Sequence, residues 1–443
     1  MTQRSPWALL PMLLFLTLFI GSGLYYQAAG VDFAFYEISA PVAILPAIIL
    51  ALLLAKGSLN DRVETFIKGC GDHTLVTMLL IFLLAGGFAS VAKAVGGVDA
   101  TVNWGLALIP SSLLLPGLFV MTAFMATAMG TSMGTIAAVA PIAVGLTEAT
   151  DLPLLLTVGT VMGGAMFSDN LSIISDTTIA ATRTQGCSMA DKFRLNLRIA
   201  LPAALLTLVW LFFQGSDTQV APGEDASFIK VLPYLAVLIL AVAGLNVLVV
   251  LLTGIVLAGV VGLTQVADYS VAQWSKDIYA GYTGMQEILI LSLLIGGLGA
   301  MMKAGGGLAW LANMIDRLSR SSEQPKAHRR AGELSISLAV ALSNACTANN
   351  TVAILISGSL AKDIAERYGV DPKRSASLMD IVSCVVQGIL PYGAQMLLAA
   401  SIAGVSPLQL VTTVVYCWLL GLMALISVLI GWPRGKVAEA SNP

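Results

Sequence analysis

From Trp104 to Thr147 the chain runs without a single Asp, Glu, Lys or Arg. A soluble fold has no use for a charge-free stretch of that length. A bilayer does, because its hydrocarbon core accepts helices of about 20 apolar residues whose backbone polar groups are satisfied internally. The rest of the chain follows the same rule. Only 11% of 443 residues are charged, against roughly 25% in an ordinary soluble domain. The 23 basic and 25 acidic residues nearly balance, at a net charge of −2. That excludes the basic stripe of a nucleic-acid binder. The five cysteines, Cys70, Cys187, Cys346, Cys384 and Cys417, form no CxxC pair, and they read as small membrane hydrophobes rather than disulfides or metal ligands. No GxxxxGK[ST] or HExxH motif occurs, and no nucleophile–base constellation marks an enzyme.

The apolar runs predict helices at 7–27, 39–56, 74–92, 199–213, 229–244, 247–264, 285–302 and 408–430. Amphipathic surface stretches are expected at 59–72 and 268–282, where charges interleave with apolar residues. The first run, after Arg4, resembles a signal peptide but is read as a retained helix. Polar linkers are expected at 183–198, 316–333 and 362–374. Counting the interrupted runs as well, the expected fold is an all-α polytopic membrane protein with about 10–12 membrane segments.

The chain also repeats itself. Residues 81–98 align without gaps onto 291–308, so that Leu83, Gly86, Gly87, Lys93, Ala94 and Gly96 meet Leu293, Gly296, Gly297, Lys303, Ala304 and Gly306. Further on, Thr131 and Thr135 align with Thr347 and Thr351, and Ala180-Ala181 with Ala399-Ala400. This divides the chain into a first transmembrane repeat (1–214), an acidic extracytoplasmic linker (215–228) and a second repeat (229–443). Basic excess at 183–198, 316–333 and the tail points those segments to the cytoplasm. Lys93 and Lys303 then fall on opposite sides, as two inverted repeats with broken or re-entrant helices require.

Polar residues inside apolar segments mark the candidate site, since an ionisable group in hydrocarbon costs roughly 2.5–3.5 kcal/mol on insertion scales. The densest cluster is Ser168-Asp169-Asn170-Leu171-Ser172-Ile173-Ile174-Ser175-Asp176-Thr177-Thr178. Its carboxylates, amide and hydroxyls are oxygen ligands suited to a hard cation such as Na+, and a proton competes with the cation for a buried carboxylate. Asp169, Asn170, Ser172, Ser175, Asp176 and Thr177 are therefore the candidate cation- and proton-binding residues, with Asp169 and Asp176 the Na+ ligands. Two further breaks supply substrate-site candidates. Gly130-Thr131-Ser132-Met133-Gly134-Thr135 offers Thr131, Ser132 and Thr135. It is also a Gly-x-x-x-Gly packing motif, a reading that competes evenly on its own. Its partner, Cys346 to Thr351, offers Asn349, Asn350 and Thr351. The stretch from Gln387 to Gln395 occupies, in the second repeat, the place of the Asp-rich stretch in the first; it contributes Gln387 and Tyr392 and carries no charge. Glu287 and Asp380 are lesser candidates read as solvated near an interface, and Lys93 and Lys303 as snorkelling helix-end residues.

At these residues the sequence resembles the NhaC-type Na+/H+ antiporter family of the ion transporter superfamily, over most of its length. The resemblance rests on the GTSMGT and SDNLSIISDTT stretches and the paired GG–KA–GG segments. Family members carry an Asp-x-x-Ser-Pro-Ile-Ser-Asp-Thr-Thr pattern. Asp169, Ser172, Ser175, Asp176, Thr177 and Thr178 match it, whereas Ile173 replaces the usual proline and Asn170 a common histidine. The resemblance implies a multi-pass protein of the bacterial inner membrane that moves Na+ and H+ without a cofactor. Its partners would be the lipid bilayer and a small ion or solute, not nucleic acid, and a homodimer is left open. The expected activity is Na+/H+ antiport. The alternative is Na+- or H+-coupled transport of an amino acid or small carboxylate, suggested by the likeness of the ANNTVAI and QGILPYGAQ stretches to an amino-acid-carrying branch. A passive channel fits less well, because a pore needs no repeat with charge on one side only.

Overall fold

The computed structural model describes residues 5–29, 31, 37–108, 110–129, 131–172, 175–214, 227–243, 245–310, 313–314 and 328–432. Among them every regular element is a helix. The first half contains α1 (Leu10–Ala28), α2 (Ala40–Ala43), α3 (Leu45–Leu54), α4 (Leu59–Cys70), α5 (His73–Ala94) and α6 (Gly97–Leu108). It continues through α7 (Leu114–Met129), α8 (Ser132–Ala149), α9 (Leu154–Leu171), α10 (Asp176–Gln185) and α11 (Met189–Phe213). The second half contains α12 (Phe228–Val242), α13 (Val247–Gln265), α14 (Val271–Gly284) and α15 (Gln286–Ala304). After them come α16 (His328–Thr347), α17 (Asn350–Tyr368), α18 (Pro372–Ile389), α19 (Ala394–Ala403), α20 (Pro407–Val411) and α21 (Val415–Ile430). Among the described residues eight helical segments are long and apolar enough to cross a membrane, and four shorter apolar helices accompany them. The expected linker 215–228 lies mostly outside the described residues.

The amphipathic helices follow local rules. Ser58 caps α4 in a reciprocal capping box with Asp61. The Ser58 hydroxyl, at 2.7 Å, and the Ser58 amide, at 3.0 Å, both donate to the exposed Asp61 carboxylate and hold it below the usual carboxylate range. Each amphipathic helix packs on the other half: α4 lies against α15 and α14 against α5. Both crossings rest on glycine. A Cβ at Gly69 would stand 2.9 Å from Gly297 Cα, and Gly86 and Gly281 meet backbone to backbone.

Two expectations from the linear pattern are corrected. The polar stretch 183–198 is largely helical: Ser188 caps α11, which starts at Met189, and its first turns carry Lys192 and Asn196 inward, both fully buried. The supposed linkers at 316–333 and 362–374 also contribute a buried pair. Arg374 Nη2 lies 3.0 Å from Glu333 Oε2 and donates to Ser427 Oγ at 2.6 Å, clamping α16, α18 and α21 together. In both cases long charged side chains reach partners inside the bundle, which local hydropathy cannot register.

Four interruptions organise the interior. α7 ends at Met129 and α8 starts at Ser132, α9 ends at Leu171 and α10 starts at Asp176, α16 gives way to α17 at 348–349, and α18 to α19 at 390–393. Backbone groups freed at such breaks are tolerated at membrane depth only against protein or a polar cavity. The third break holds Ala348 at φ 51°, a left-handed conformation uncommon for a residue with a side chain.

Candidate functional site

Asp169 sits near the end of α9, in a helix buried along nearly its whole length. Two residues converge on one of its carboxylate oxygens. Ser132, the first residue of α8, donates to Oδ2 at 2.9 Å, and Asn350, the first residue of α17, donates to the same atom at 3.4 Å. The donors come from different halves of the chain and from equivalent places in it. Positions 132 and 350, 169 and 387, and 188 and 406 are each 218 apart, and each pair occupies the same place in its helix or cap. The register is therefore two residues away from the expected pairing of Thr131 with Thr347.

Gln387 is thus the counterpart of Asp169, with an amide in place of the carboxylate. Its Nε2 donates to the Ala348 carbonyl at 3.1 Å, at the strained break, and to Gln395 Oε1 at 2.8 Å. Gln395 in turn donates to Ser132 Oγ at 3.1 Å, closing a chain of polar groups from one half-site to the other. The carbonyl of Asp169 receives Thr177 Oγ1 at 3.2 Å and Ser175 Oγ at 3.3 Å. Ser175 also caps α10, accepting from the Thr178 amide.

These groups line a cavity of about 270 Å³. Of the residues expected from sequence, Thr131, Ser132, Asp169, Ser175, Thr177, Asn349, Asn350, Thr351 and Gln387 reach it. Others do not. Thr135 turns its hydroxyl back to the Thr131 carbonyl at 3.1 Å. Ser172 is buried behind the break, its carbonyl bound by Thr178 at 2.7 Å. Asn170 donates to Met166 O at 3.1 Å and faces away from the cavity. Tyr392 donates to Ala345 O at 2.6 Å and lines a neighbouring cavity of about 310 Å³. That cavity shares Met78 and Asn349 with the first. Asp176 opens α10, but its side chain lies outside the described residues.

The sequence reading missed His73, Thr77 and Gln395 on the cavity wall. Gln395 carried a usable signal, since it follows Gln387 by the same 8 residues by which Thr177 follows Asp169. It also misplaced Asp380. Instead of lying solvated at an interface, Asp380 is fully buried and bonded to Lys192 at 2.6 Å and Asn196 at 2.7 Å. Among the described residues no cluster of three or more His, Cys, Asp or Glu side chains could hold a metal ion.

Membrane-length helices, four helix breaks and a polar cavity with a buried carboxylate define a polytopic membrane transport protein. The sequence profile of the Na+/H+ antiporter family matches residues 5–216 and 224–432, and the chain belongs to that family and is a secondary transporter. It is 26% identical to the Na(+)/H(+) antiporter NhaC of Bacillus subtilis, over 82% of this chain and 84% of that one. It is 22% identical to the malate-2H(+)/Na(+)-lactate antiporter of the same organism, over 84% and 85% of the two chains. The arginine/ornithine antiporter ArcD of Halobacterium salinarum is 23% identical, over 78% and 77%.

Proposed function

We propose that this protein is a secondary active antiporter that exchanges Na+ for H+ at Asp169, in the bacterial inner membrane. The carrying observation is the buried carboxylate of Asp169, which lines a polar cavity with both halves of the molecule donating to one of its oxygens. Neutral hydroxyl and amide oxygens from Thr131, Ser132, Ser175, Thr177, Asn349, Asn350 and Gln387 surround it. Such a site suits a hard monovalent cation. It also enforces exchange: either ion neutralises the carboxylate, and only the neutralised form crosses the low-dielectric barrier cheaply. Asp176 is the second carboxylate of this reading, and the two halves run in opposite senses across the bilayer.

The test is a Na+ jump on proteoliposomes loaded with a pH dye. The expected result is proton movement that Asp169→Asn abolishes while the variant remains folded in the membrane. Proton movement absent in the wild type, or unchanged in the variant, overturns the reading.

A second reading, coupled transport of an amino acid or small carboxylate, is favoured by the size of the cavity. About 270 Å³ exceeds the needs of one dehydrated ion and approaches the roughly 300 Å³ at which small-molecule pockets begin. The amides of Asn349, Asn350, Gln387 and Gln395 would suit a carboxylate or ammonium group. The names of two relatives, the malate/lactate and arginine/ornithine antiporters, point the same way. Radiolabelled uptake across a panel of such solutes separates the two: saturable, gradient-coupled uptake supports the second reading, and its absence leaves ion exchange.

A further inference from the structure

Behind the Asp169 cavity lies a second cluster of buried polar groups. The Lys192 ammonium, fully buried on α11, donates to Asp380 Oδ2 at 2.6 Å, to the Asn170 carbonyl at 3.0 Å and to Thr178 Oγ1 at 2.6 Å. Asn196 Nδ2 bonds two of the same acceptors, Asp380 Oδ2 at 2.7 Å and Asn170 O at 2.9 Å. Oxygen acceptors remain in excess: Oδ1 of Asp380 and Oδ1 of Asn196 are buried with no hydrogen-bond partner. The Thr177 hydroxyl stands between the two sites, beside Asp380 and 3.2 Å from the Asp169 carbonyl. A carboxylate, a carbonyl beside a helix break and a hydroxyl around one positive charge are ligands of the kind a monovalent cation takes.

The second half of the chain shows that the bundle does not need this cluster to close. At the 218-residue offset, Lys192, Asn196 and Asp380 correspond to Leu410, Val414 and Met162, all fully buried. A buried ion pair is a poor stabiliser compared with apolar residues of similar volume, so packing alone gives no reason for charge on one side only.

We propose that Lys192 is the resident cation of a second monovalent-cation site, formed by Asp380, Asn196, Thr178 and the Asn170 carbonyl. Its tethered ammonium holds the number of exchanged Na+ ions at one, and a free Na+ occupies the site once the ammonium is removed. The count of one rests on the Asp169 reading above, so the test separates the two sites.

The measurement is equilibrium 22Na+ binding to purified protein in detergent, with Na+ alone as probe. Wild type is expected to bind one Na+ and Asp169→Asn none. Lys192→Ala, which leaves space for an ion, is expected to bind two, and Asp169→Asn/Lys192→Ala one. Lys192→Ala/Asp380→Asn is expected to return to one. If Lys192→Ala binds no more than wild type, or keeps its extra ion after Asp380→Asn, the proposal fails. If only the Asp169→Asn result differs, the Asp169 reading fails and this one stands. Should Lys192→Ala fold poorly, recovery of monodisperse protein in NaCl against choline chloride replaces the count. Recovery in NaCl alone supports the site. Recovery in neither salt, with Lys192→Ala/Asp380→Asn recovered in both, overturns it. The triple variant Lys192→Leu/Asn196→Val/Asp380→Met is expected to fold and bind one Na+; two would overturn the assignment.

Discussion

Ser132 holds two roles at once. Its hydroxyl donates to the Asp169 carboxylate at 2.9 Å and accepts from Gln395 at 3.1 Å, so it both orients the carboxylate and links the two half-sites. A hydrogen bond to a charged group is worth about 1.5 kcal/mol or more, and about 1.4 kcal/mol corresponds to tenfold in affinity. Ser132→Ala is therefore expected to raise the half-saturating Na+ concentration roughly tenfold, read from dye-coupled exchange rates, with little loss of protein from the membrane. At this scale the sequence was informative where a polar residue interrupted an apolar run. Asp169, Ser132, Asn350 and Gln387 all stood out in that way. Lys192 and Asp380 did not, because each lies in a stretch with other polar residues and only the direction of the side chain makes it interior.

The elements bearing these residues are positioned by close approach. Glycines on α9 bring it against α7 and the start of α21. A Cβ at Gly159 would lie 2.5 Å from the Thr413 carbonyl oxygen, and one at Gly164 would lie 2.8 Å from that of Phe119. Backbone atoms cannot yield as a side chain does, and overpacking of this kind costs about 1–3 kcal/mol. Gly159→Ala is expected to lower the melting temperature in detergent and to reduce exchange with it, by displacing the helix that carries Asp169; an unshifted melt would contradict the packing. The breaks themselves were legible, since glycines, hydroxyls and amides cluster at 130–135 and 346–351. Their register was not. Two threonine pairs suggested one alignment, whereas the first residues of α8 and α17 set another, because what repeats is the place of a side chain at a helix start rather than its identity.

At the scale of the whole molecule, neither half is complete. The carboxylate belongs to the first half, while Asn350, Gln387 and Gln395 belong to the second. The amphipathic helix of each half covers a helix of the other. Residues 1–214 and 229–443 expressed separately are expected to be inactive and poorly recovered. Co-expressed, they are expected to restore a measurable fraction of exchange in vesicles, since backbone-to-backbone glycine contacts such as Gly86 with Gly281 need no covalent link. Full activity of either half alone would refute the shared site.

The sequence by itself determined the membrane class, the helical content and the segment holding Asp169. All of these follow from where charge and polarity are absent, and hydrocarbon imposes that pattern directly on the chain. Only the tertiary structure decided which polar residues meet. Gln395 reaching Ser132 across 263 residues and Lys192 closing on Asp380 depend on how helices from the two halves face each other. Hydropathy records that a residue is polar, and packing decides what it touches.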